Sequence, residues 1–129
     1  IALTWFFREE ATAATIALRL QLARAPTIVP RHWFLEIANA VAMAERRQRV
    51  TPAQSSEFVD LLSVIAPKVD ATSRERVFSH ILPLARSHRL TVYDAAYLDL
   101  AVRRKSPLAT LDNELRVAAT QLGVDVLGV

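Results

Sequence analysis

Two kinds of apolar pattern alternate along this chain. Long stretches repeat apolar residues at helical spacing, and between them stand runs of a few residues that are β-branched or bounded by proline. The first kind predicts amphipathic helices and the second short buried strands. Leu3–Phe7 gives a helical turn. Glu10–Arg24 gives a helix whose apolar content is Ile16, Leu18, Leu20 and Leu22. Thr27-Ile28-Val29 is β-branched throughout and ends at Pro30, which has no N–H to offer a ladder, so it predicts a strand. A long helix follows over Arg31–Arg47. Thr51 is placed as N-cap with Pro52 in the first turn, starting a helix that runs to Ile65. Pro67–Asp70 predicts a second strand. Ser73 caps a helix reaching His88, which Pro83 must kink or split. Thr91 caps the next helix, to Lys105. Pro107–Thr110 is a strand, Asp112–Leu122 a helix stopped by Gly123, and Val124–Leu127 a final strand.

Strands separated by helices require crossover connections and therefore a parallel sheet. The expected class is helix-rich α/β with three layers and one short-stranded sheet, all in a single domain over residues 1–129. Such a sheet normally takes its first strand before its first helix. Here the pattern opens on a helix, so a further strand is expected just upstream of Ile1. The only methionine is Met43, which agrees with residues preceding Ile1.

Composition narrows the chemistry. The sole glycines are Gly123 and Gly128, too few for an all-β fold rich in tight turns. No apolar run approaches the roughly 20 residues of a membrane span. Cysteine is absent, which excludes disulfides, zinc–thiolate sites and thiol catalysis and suits a reducing cytoplasm. His32, His80 and His88 have no metal-ligand spacing, and no glycine-rich phosphate loop exists.

Three carboxylates stand out by their surroundings. Glu36 follows Trp33-Phe34-Leu35 and precedes Ile37-Ala38, with Asn39 on nearly the same helical face. Asp94 lies in Thr91-Val92-Tyr93-Asp94-Ala95-Ala96-Tyr97, and Asp112 ends Leu108-Ala109-Thr110-Leu111-Asp112. Buried carboxylates are costly unless a cation or hydrogen bonds compensate them, so one shared cation is an economical explanation. Oxygen donors without imidazole or thiolate suit Mg²⁺ or Mn²⁺. With these three set aside, 16 basic residues face 10 acidic ones, a surplus of six that suits a polyanion. Capping alone is the competing account of Asp94 and Asp112, and a pair with Arg31 or with an arginine elsewhere that of Glu36.

These same segments, with Ala2–Phe7, Glu45-Arg46-Arg47 and Thr51-Pro52-Ala53, resemble the PIN-domain family, specifically its VapC-type toxins. The likeness covers essentially the whole chain. It implies a PIN-like three-layer fold and a Mg²⁺-dependent endoribonuclease acting on structured RNA such as tRNA or rRNA. It also implies a cognate antitoxin and a toxin homodimer. Glu36, Asp94 and Asp112 match three of the family's four acids, with Thr110 orienting Asp112 or holding a metal-bound water. The fourth acid ends the family's first strand and would precede Ile1. Either the natural protein has that strand and acid, or this copy is truncated, in which case it is expected to be inactive and poorly folded.

Arg46 and Arg86, with Asn39, are the candidate contacts to substrate or partner. Arg46-Arg47-Arg49 and Arg103-Arg104-Lys105 sit at helix ends, where the dipole favours cations. Two other readings compete. A phosphohydrolase of small phosphate esters would need a phosphate-gripping loop or a paired nucleophilic Asp, and neither is present. A catalytically silent module of the same fold would use its acidic pocket to hold a partner's Arg.

Overall fold

The computed structural model describes residues 2–7 and 10–128. The chain is helix-rich α/β. It runs α1 (Ala2–Phe6), α2 (Ala13–Leu22), β1 (Ile28–Pro30), α3 (Trp33–Arg46), α4 (Pro52–Ile65), β2 (Lys68–Asp70), α5 (Arg74–Arg76), a π-helical turn (Val77–Ile81), α6 (Leu82–His88), α7 (Val92–Arg104), β3 (Leu108–Ala109), α8 (Asn113–Gln121) and β4 (Val126–Leu127). Among the described residues, no helix is long and apolar enough to cross a membrane. The fold divides into two compact units, Ile1–Ile28 with His32–Lys68, and Val29–Arg31 with Val69–Val129.

In the first unit, α1, α3 and α4 pack through Phe6, Phe7, Ile37, Ala44, Phe58 and Leu62. Phe6 stacks on Phe58 with ring centroids 4.6 Å apart and tilts against Phe7 at 4.9 Å. α2 begins at Ala13, later than the apolar pattern predicts. Thr12 and Thr15 explain this by exchanging side-chain and backbone hydrogen bonds of 3.2 and 2.9 Å, a reciprocal cap that fixes where the helix starts. α4 has the expected start: the Thr51 hydroxyl accepts from the Gln54 amide, Gln54 answers at the Thr51 N–H, and Pro52 fills the first turn.

The second unit is built on α7, which buries Ala95, Leu98 and Ala101 against residues of β3, α8 and α6. The helix expected over residues 73–88 is three pieces. Pro83 has no N–H, and its ring crowds the carbonyl four residues back. The backbone relieves this by widening one turn, so that the Leu82 N–H reaches the Val77 carbonyl five residues away.

The sheet also differs from expectation. In place of one parallel sheet, β1 pairs with β2 and β3 with β4. The β3–β4 pair is parallel, with Leu108 opposite Val126 and Ala109 opposite Leu127. Strands of two or three residues form only a few ladder bonds, and among the described residues no strand joins β1 to β3.

Candidate functional site

Glu36 lies in the first turn of α3, in the first unit. Its side chain is 46% exposed, with His32 Nε2 3.9 Å from Oε2 one turn back. Asn39 is exposed as well. This corrects the expectation of a buried Glu36. The apolar run around it does not sink into the core: α3 buries only Ile37 and Ala44, while Phe34 and Leu35 are 44% and 72% exposed. A carboxylate in water needs no compensating cation, so burial gives no argument for metal at Glu36.

Asp94 and Asp112 belong to the second unit, each at a helix start. Thr91 is the N-cap of α7. Its hydroxyl accepts from the Asp94 amide at 3.0 Å and donates to Asp94 Oδ2 at 2.6 Å. Asp94 is half-buried. Asp112 is the N-cap of α8, and its Oδ1 accepts from the Leu115 amide at 2.7 Å. It is exposed, a second departure from the expected burial, because a cap sits beyond the helix at the surface end of the loop. Thr110 is buried, and its Oγ1 accepts from the Asp112 backbone N–H at 3.0 Å. Thr110 therefore orients Asp112 through the main chain. In both aspartates one carboxylate oxygen is fixed by the cap, while the other has no hydrogen-bond partner among the described residues.

Among the described residues, the buried carboxylates are two that the sequence pattern did not single out. Asp70 ends β2 and Asp99 lies within α7; they are 4% and 6% exposed. Asp70 accepts from Arg103 at 2.6 Å, Arg104 at 3.1 Å and the Thr72 hydroxyl at 2.7 Å. Asp99 takes both Arg76 Nε and a terminal nitrogen, at 2.8 and 2.7 Å. The Arg103 hydrogen bond, against the opposing cost of burial and with help from Thr72 and Arg104, holds the Asp70 carboxyl well below the usual carboxylate range. The Asp99 hydrogen bonds push the Arg76 guanidinium up. One available signal was Asp99 followed four residues later by Arg103 in an apolar stretch, the spacing of a helical ion pair.

This network also refines the basic clusters. Arg103 and Arg104 are committed to Asp70, whereas Arg46, Arg86 and Lys105 are exposed with no carboxylate partner among the described residues. Oxygen-only donors with uncommitted lone pairs at Asp94 and Asp112 suit a hard divalent cation in kind. Among the described residues, however, no group of three or more His, Asp or Glu is placed to hold a metal ion. No family model, no curated protein and no solved structure matches the chain.

Proposed function

We propose that this chain is a metal-dependent endoribonuclease of the VapC-type PIN kind, hydrolysing phosphodiester bonds in structured RNA. Its partners in this reading are a cognate antitoxin and a second copy of itself. The observation that carries it is the pair Asp94 and Asp112, each held by a helix-start hydrogen bond with one oxygen left uncommitted. Thr91 and Thr110 orient them. Glu36 adds a third solvent-facing carboxylate in the first unit. Arg46 and Arg86 supply exposed cations for phosphates. A bound Mg²⁺ or Mn²⁺ would contribute neutralisation of phosphodiester charge and a more acidic water.

Asparagine separates chemistry from capping. At the Asp112 cap it serves about as well as aspartate, and at Asp94, where Thr91 is the cap, it keeps an oxygen to accept from the Thr91 hydroxyl, but it is a much poorer ligand for a hard cation. Asp94→Asn and Asp112→Asn are therefore expected to lower cleavage of a structured RNA transcript by about 100-fold or more while the melting temperature holds. Full cleavage by both variants overturns the reading. That no group of three or more His, Asp or Glu is placed to hold a metal ion among the described residues favours one alternative, a silent module whose aspartates receive a partner's guanidinium. It requires partner affinity with no cleavage at any Mg²⁺ or Mn²⁺ concentration.

A further inference from the structure

The first unit contains a cavity of about 610 Å³ that the nuclease reading does not use. This lies within the roughly 300–1,000 Å³ typical of small-molecule sites. Its apolar wall includes Trp5, Phe7 and Phe58. The wall is preorganised: Trp5 Nε1 donates to the Thr15 carbonyl at 2.9 Å, and Phe58 is stacked on Phe6. Among the described residues three charged side chains also line it: Arg49, which pairs with Glu10 at 3.3 Å and lies 4.0 Å over the Phe7 ring, and two of opposite sign, Arg19 from α2 and Glu57 from α4. Neither Arg19 nor Glu57 has an ion-pair partner among the described residues, and they do not pair with each other.

We propose that this cavity binds a free aromatic α-amino acid. Flat aromatic walls suit a ring, which gains from offset or edge contacts as well as from burial. The unpaired guanidinium suits a carboxylate, to which arginine can present two parallel donors. The unpaired Glu57 carboxylate disfavours a purely anionic ligand and suits an ammonium group. Only a zwitterion answers the two unpaired charges, Arg19 and Glu57, at once.

Isothermal titration of the full chain tests this with L-phenylalanine and two analogues bearing one charge each, 3-phenylpropionate and phenethylamine. Hydrogen bonds to charged groups contribute about 1.5–3 kcal/mol, so each analogue is expected to bind about tenfold or more weakly than L-phenylalanine. Arg19→Gln is expected to weaken phenylalanine and phenylpropionate by about tenfold and leave phenethylamine unchanged. Glu57→Gln is expected to weaken phenylalanine and phenethylamine, leaving phenylpropionate no weaker. Both positions lie outside the packed core, and circular dichroism checks that the variants fold. Absence of saturable binding at about 10 mM phenylalanine, equal binding of all three compounds, or insensitivity to both substitutions overturns the proposal. None of these outcomes depends on RNA cleavage.

Discussion

Replacing Asp70 by asparagine tests the electrostatic core of the second unit. The side chain is 3% exposed and accepts three hydrogen bonds, two from guanidinium groups. An asparagine there would keep the volume, remove the charge and turn an amide NH₂ toward donors. Breaking a buried ion pair from one side costs about 3–5 kcal/mol. Arg103 and Arg104 are 26% and 50% exposed, so water reaches part of the orphaned charge. That lowers the expectation to about 2–4 kcal/mol, against a total stability of about 5–15 kcal/mol for an ordinary domain. The sign of the pH dependence follows from the depressed carboxyl. A group whose folded value lies below its ordinary 3.8 contributes stability above that value. This contribution fades as the pH falls below about 5 and is lost on passing through the folded value. The gap between wild type and Asp70→Asn must therefore be widest near neutrality and narrow below about pH 4. Urea unfolding followed by far-ultraviolet circular dichroism measures it. Trp5 and Trp33 both lie in the first unit, so tryptophan emission is the wrong probe for this site. Hydrogen exchange of the α7 amides gives the local readout. A variant within about 0.5 kcal/mol of wild type near pH 7, or a gap that stays constant down to pH 3, refutes the reasoning.

Two further substitutions probe the first unit. Ala66 caps α4 with φ 42° and ψ 56°, a left-handed conformation that suits glycine. Ala66→Gly is expected to stabilise by about 0.5 kcal/mol, the relief of strain being partly offset by a freer unfolded chain, and a denaturation midpoint that falls contradicts this. Phe58, 4% exposed and stacked on Phe6, is expected to cost about 3–5 kcal/mol as Phe58→Ala, read from the same urea titration.

Much of the helical layout was legible because caps are local. Thr51-Pro52 and Thr91 start their helices where the pattern places them, and Gly123 lies just past the end of α8 with φ 71°. The same locality misled at Glu10, since the hydroxyl exchange between Thr12 and Thr15 outweighs an apolar periodicity that extends further back. Pro83 announced a break but not its form: a kink and a widened turn both relieve the same clash, and packing chooses between them. Strand pairing was the least legible, because strands this short carry too few residues to specify a neighbour.

For the carboxylates, a sequence records apolar neighbours, whereas burial depends on which side of the helix faces the core. Glu36 and Asp99 both stand among apolar neighbours, yet Glu36 faces water while Asp99 shares the inward side of α7 with Ala95. The cations of Asp70 and Asp99 come from this chain itself, including Arg103 at a separation of 33 residues from Asp70, which no local pattern reveals. A buried carboxylate with its own arginines has already spent its lone pairs on structure. A carboxylate able to receive an external cation or guanidinium must instead keep an oxygen uncommitted while its backbone is fixed. Asp94 and Asp112 meet that condition, and Asp70 and Asp99 do not. Availability of a held oxygen, rather than burial, is thus the physical criterion that separates the functional candidates in this chain from its structural acids.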